Sequence, residues 1–118
     1  MSTELKKLQE KIRNFADERN WDQYHSPKNL SMALIAEAAE LIEHFQWMTE
    51  EQSSQLSSEV LEEVQQEIAD IFIYLIRISD KLGVDLISAA NQKININAKK
   101  YPVEKVKGSS KKYTSYTD

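Results

Sequence analysis

The sequence predicts an all-α chain, on three observations. Glycine and proline occur only twice each in 118 residues, so little interrupts a helix. Charged residues make up 29%, and Glu, Lys, Gln, Leu and Ile are abundant, the composition of a helical protein. Apolar residues also return at helical spacing from one segment to the next, with short breaks between them.

The first helix is expected from about Thr3 to Arg19, carrying Leu5, Leu8, Ile12, Phe15 and Ala16 on one side. WDQYHSPKN follows, where Pro27 and Asn29 mark a connection ending in a helix N-cap. The second helix then covers about Leu30 to Gln46. Thr49 with Gln52 has the capping-box form, so a short helical turn is expected before the serine-rich SSQLSS, the loop expected to move. The third helix runs from about Ser58 to Leu82, with Gly83 as its left-handed C-terminal residue. Asp85 caps a fourth, which ends near Lys100 because Pro102 disfavours helical geometry at Tyr101.

Short connections between four amphipathic helices imply a four-helix bundle, one domain over residues 1–102. Residues 103–118 have no apolar period and read as a basic, flexible tail whose GSSKKYT run either folds over a bound anion or stays disordered without one. The third helix bears Ile71, Phe72, Ile73, Leu75, Ile76 and Ile78 around more of its circumference than one neighbour covers. A dimer or dimer of dimers is the expected remedy.

Charge and composition narrow the function classes. The net charge of −4 divides into 17 acidic against 9 basic side chains over residues 1–98, and a tail with Lys99, Lys100, Lys105, Lys107, Lys111 and Lys112 against two acids. Such a body repels duplex phosphates unless metal ions intervene, so no duplex nucleic acid is expected as a partner. The absence of cysteine removes disulfides and thiolate metal sites. No apolar run reaches the roughly 18 residues of a membrane span, and the charged start is unlike a signal peptide. A cytoplasmic protein without a membrane partner is the expectation.

The acids carry the chemistry. At about 100° per residue, Leu30, Leu34, Leu41 and Phe45 share one face of the second helix; Glu37 projects from its middle and Glu40 and His44 flank it. On the third helix Val60, Val64, Ile68, Ile71 and Leu75 form the apolar face, with Glu63, Glu67, Asp70 and Tyr74 along its edge. EAAE and EIAD thus each set acids at i and i+3 beside a seam. Packing of the two seams makes Glu37, Glu40, Glu67 and Asp70 converge. Crowded carboxylates repel one another and lose hydration, and His44 is the only basic residue on these helices between Leu30 and Tyr74. A hard divalent cation, magnesium or manganese, suits the all-oxygen set. The same residues also allow two solvated acidic flanks, or a non-catalytic helical module whose acidic stripes hold a basic partner. A di-iron centre needs an ExxH motif, whereas His44 stands four residues after Glu40.

Glu37xxGlu40 followed by Glu67xxAsp70 resembles the signature of the all-α MazG-type nucleoside triphosphate pyrophosphohydrolases. FADERNWDQYHSPKNL, LIEHFQW, EIADIFIYLI, KININAKKYP and GSSKKYT are similar, in order, to segments of the dCTP pyrophosphatase branch. The resemblance implies hydrolysis between the α and β phosphates of a deoxynucleoside triphosphate such as dCTP, in nucleotide-pool housecleaning, by a homotetramer. It also implies that Glu37, Glu40, Glu67 and Asp70 hold magnesium, with Glu40 a candidate for orienting the attacking water. Trp21, Tyr24, His25 and Trp47 would then surround base and sugar, with Tyr74 closing the site, although packing at the end of a bundle explains the same residues. Lys93, Asn97, Lys100 and Tyr101, in the KxxxNxxKYP pattern, would meet the phosphates, where a solvated basic helix end is the alternative. Lys28, Lys99 and Lys100 stand where relatives often carry arginine, and lysine offers a point charge in place of a bidentate fork. His44 falls outside the matched ligand set, with an outer-shell or packing role expected.

Overall fold

The computed structural model describes residues 2–109. Its helices are α1 (Thr3–Glu18), α2 (Pro27–Glu43), α3 (Glu50–Ser53), α4 (Ser58–Leu82), α5 (Leu86–Lys100) and α6 (Val103–Val106), and a 3₁₀ turn spans Asp22–Tyr24. There is no strand among the described residues. The chain divides into two compact units, residues 2–84 and the segment from Asp85 onward.

In the first unit α4 packs against both α1 and α2. The Ser2 hydroxyl caps α1 by accepting the Leu5 N–H at 3.2 Å. The helix closes in a Schellman turn: Trp21 N–H donates to the Ala16 carbonyl at 2.9 Å and Asn20 N–H to that of Asp17 at 3.1 Å. Asn20 takes the left-handed conformation at φ 56° that this turn requires, which asparagine tolerates best after glycine. Trp21 is thereby folded back beneath α1, its ring edge-on to Phe15 at 5.8 Å.

Helix α2 begins and ends earlier than its apolar pattern suggests. Ser26 is the N-cap, accepting the Asn29 N–H at 3.1 Å, and Pro27 occupies the first turn, where a missing N–H costs nothing. Asn29, expected as the cap, instead donates its side-chain amide to the Tyr24 carbonyl at 3.0 Å. After Glu43 the chain turns through residues 44–47, so Trp47 lies beyond the helix. Thr49 and Gln52 form the reciprocal capping box that opens α3.

Helix α4 has the expected bounds, capped by Ser57 and ended by Gly83 at φ 68°. Its buried stripe is rotated from the expected one. Val64 is buried and Val60, Glu67, Ile71 and Tyr74 are half-buried, whereas Ile68 and Leu75 are exposed within the chain. Glu67 and Tyr74 therefore belong to the packed stripe itself, not to its edge. Toward its C-terminal end Ile76, Arg77 and Ser79 are buried, matching buried Leu5 and Ala16 on α1.

In the second unit the Asp85 carboxylate caps α5 by accepting the Ser88 N–H at 3.1 Å. At the other end Tyr101 N–H donates to the Asn97 carbonyl at 2.8 Å. Val103–Val106 form a helical turn in what the sequence presents as tail. From Ser110 on, the GSSKKYT run lies outside the described residues. No helix among the described residues is long and apolar enough to cross a membrane.

Candidate functional site

The packing of α2 on α4 brings carboxylates together. Glu37 from α2 and Glu67 and Asp70 from α4 each offer an oxygen, and the three lie within 4.8 Å of one another. Glu40 is exposed but within hydrogen-bonding reach of both Glu37 and Glu67. Loss of hydration, followed by the bond and charge of Glu40 and then the charges of Asp70 and Glu67, pushes the Glu37 carboxyl up to about 7. Glu67 is raised for the same leading reason, with His44 opposing. His44 sits against α4 with Nδ1 3.7 Å from Glu63 and Nε2 4.0 Å from Glu67.

One oxygen each of Glu37 and Glu67 is buried without a hydrogen-bond partner. Buried polar atoms ordinarily find partners, and an ion coordinated by these carboxylates supplies one. The donor set is all oxygen, on two helices held by packing, which fits a hard divalent cation. The residues present therefore suit such an ion.

Asp70 also lines a neighbouring cavity of about 360 Å³, whose walls include Phe15, Trp21, His25, Ile73, Tyr74 and Arg77, with Lys11, Ile12 and Ala16 from α1. Its volume is that of a small-molecule site, mostly apolar with a few polar groups. The Arg19 guanidinium lies 3.6 Å from the centre of the Phe15 ring, backing the aromatic wall.

The 3₁₀ connection that carries His25 is fixed by charge. Arg77 donates from Nε to His25 Nδ1 at 3.1 Å and from Nη2 to Asp22 at 2.8 Å. Lys81 also bonds Asp22, and Arg13 grips Asp80 with two bonds, of 2.7 and 3.0 Å. The Lys81 bond first, then the charges of Lys81 and Arg77, lower the Asp22 pKa. Burial first, then the same two cations, lower that of His25. Burial, Glu37 and Asp70 raise that of Tyr74.

The family model for the MazG-like family matches residues 33–115, which include all four acids. The chain belongs to the MazG-like family. This MazG-like chain is 40% identical over 102 residues to dCTP pyrophosphatase 1 of Homo sapiens and 41% identical to that of Bos taurus, the alignments covering 85% of it. It spans about 60% of the length of these relatives. Among solved structures it resembles a pyrophosphatase from Archaeoglobus fulgidus with a TM-score of 0.73 and 39% identity, over 86% of this chain and 95% of that one.

The site residues expected from the sequence of this MazG-like chain are distributed unevenly. Glu37, Glu67 and Asp70 converge with Glu40 beside them, and Trp21, His25 and Tyr74 line the cavity. Tyr24 is exposed and Trp47 is 89% exposed, and neither is among the cavity's walls. Lys93, Asn97, Lys100 and Tyr101 belong to the second unit, where Lys93 and Asn97 are exposed and Lys100 and Tyr101 half-buried. The sequence reading passed over Arg77, although a lone arginine inside the apolar run IFIYLIRIS is a signal that a buried acid or imidazole awaits it. Phe15, expected only as one of the apolar positions of α1, and Lys11, which the sequence did not single out, also wall the cavity.

Proposed function

We propose that this chain hydrolyses deoxynucleoside triphosphates, with dCTP preferred, to the monophosphate and pyrophosphate, using magnesium or manganese. The observation that carries this reading is the junction at Asp70, where a cluster of carboxylates meets an aromatic cavity of nucleoside size. The dCTP pyrophosphatases at about 40% identity and the family match support it.

Glu37, Glu67 and Asp70, with Glu40, hold the cation. When bound, it neutralises the acids and the polyphosphate, polarises the phosphoryl group and lowers the pKa of water. Trp21 offers its face to a base, and Tyr74, on the turn after Asp70, directs the sugar toward the acids. Glu40, exposed beside Glu37 and Glu67, takes the proton of the attacking water. The family resemblance alone supports phosphate contacts from Lys93, Asn97, Lys100 and Tyr101 and base contacts from Tyr24 and Trp47, which stand outside the cavity's walls.

We assign the active form to a homo-oligomer, a dimer or dimer of dimers, in the cytoplasm. Ile35, Ile42, Leu61, Ile68 and Phe72 leave the α2–α4 pair with a broad exposed apolar surface, which a second copy covers. The deciding experiment is pyrophosphate release from a panel of dNTPs with and without magnesium. Release from dCTP fastest, and only with metal, is the expected result; no release from any nucleotide overturns the reading.

A further inference from the structure

Arg77 is 3% exposed, an uncommon place for a guanidinium, and it is fully engaged. Nε donates to His25 Nδ1 at 3.1 Å, Nη2 donates to Asp22 at 2.8 Å, and Nη1 lies 3.7 Å from Asp80. The first of these fixes a proton. An arginine Nε–H donates and never accepts, so His25 Nδ1 must present its lone pair. A neutral imidazole has a single ring proton, which is thereby assigned to Nε2. His25 and Arg77 line the same cavity as Trp21, Tyr74 and Asp70, and Nε2–H is the ring donor that His25 has left for a guest.

We propose that Arg77 is a positioning residue for base selection. By holding His25 as the Nε2–H tautomer, it makes the cavity read a hydrogen-bond acceptor on the base. Cytosine satisfies that donor with its bare N3, whereas thymine and uracil carry a proton on N3 and set donor against donor. The inference rests on the nucleotide reading above and adds its selectivity.

Two further observations support it. Burial and the charge of Arg77 both disfavour the imidazolium, in which Nδ1 would carry a proton and could no longer accept from Arg77. Asp22 takes the second arm of the guanidinium and is itself held by Lys81, so Nε is aimed from two directions. A lysine at position 77 would keep the charge and lose the planar fork that aims it.

The test compares wild type with Arg77→Met and Arg77→Lys. Long-range proton–nitrogen NMR of His25 in the wild type should show one tautomer, protonated at Nε2; a spectrum dominated by Nδ1–H overturns the proposal. In both variants the ratio of kcat/KM for dCTP to that for dTTP should fall about 10- to 100-fold, chiefly through a higher KM for dCTP. A merely structural arginine would slow both nucleotides alike, and an unchanged ratio overturns the proposal. Should the Arg77 variants fail to fold, His25→Leu removes the donor while leaving the Arg77–Asp22 pair, and must lower the same ratio; an unchanged ratio there overturns it too. If the wild type hydrolyses no triphosphate, the functional reading fails separately, and tighter binding of dCMP than dTMP, lost in Arg77→Met, still decides the selectivity.

Discussion

Replacing Glu37 by glutamine should stabilise the metal-free protein while ending its activity. Glu37 ionises at about 7 in the fold, against 4.5 ordinarily, because burial and three neighbouring acids oppose its charge. A raised carboxyl binds its proton more tightly folded than unfolded. Stability is thus unpenalised below pH 4.5 and declines as pH rises to about 7, with a ceiling of about 3 kcal/mol above it. Solvent at exposed Glu40 and Asp70 screens part of this, leaving about 1–2 kcal/mol. Glutamine keeps the shape and removes the charge. Urea unfolding without metal, at one fixed protein concentration, should therefore show Glu37→Gln more stable by about 1–2 kcal/mol at pH 8 and equal to wild type near pH 4. Added magnesium should raise the midpoint of the wild type more than that of the variant. A variant less stable than wild type at pH 8, or a gain independent of pH, would refute the view that these acids are mutually strained and await a cation.

Asp70→Asn should lower magnesium-dependent pyrophosphate release from dCTP by at least about 100-fold with the helical circular dichroism unchanged, since it withdraws one of the converging oxygens. Trp21→Ala should raise the KM for dCTP by about 5- to 150-fold, the effect of losing a stacking face, and an unchanged KM would remove Trp21 from the base site. Ile68 is 54% exposed within the chain; sedimentation should find the wild type as a dimer or larger and Ile68→Lys shifted to monomer, whereas a monomeric wild type would remove the oligomer proposal.

Local chemistry made much of this molecule legible. The capping box at Thr49 and Gln52, the Ser58–Leu82 span of α4 ended by Gly83, and the Asp85 cap depend on side chains within a few residues of one another, and sequence states such neighbourhoods directly. The acids of EAAE and EIAD were legible because helical periodicity puts them beside seams that must pack. What escaped depends on partners distant in sequence. Arg77 meets His25 and Asp22 more than 50 positions earlier, and the apolar run around it signals that a partner is needed without saying which. The early start of α2 escaped because Ser26 and Asn29 are both capable caps, and the carbonyl of Tyr24 draws away the side chain of Asn29. The rotation of the α4 stripe escaped because both sides of that helix are apolar, so composition does not choose between them.

The alternating ions Arg13, Asp80, Arg77, Asp22 and Lys81 form a chain of pairs of which Arg77 lines the cavity, and its outer members answer to the solvent. Apolar packing between α2 and α4 is indifferent to moderate salt, whereas ion pairs at the surface are screened within about 10 Å at 0.1 M. Rising ionic strength screens the partly exposed Arg13–Asp80 and Lys81–Asp22 pairs first, whereas buried Arg77 keeps its hold on His25, so discrimination between bases should outlast the outer pairs as salt rises. On warming, the cost of desolvating those ions shrinks, so their share of the hold on the Asp22–His25 connection grows.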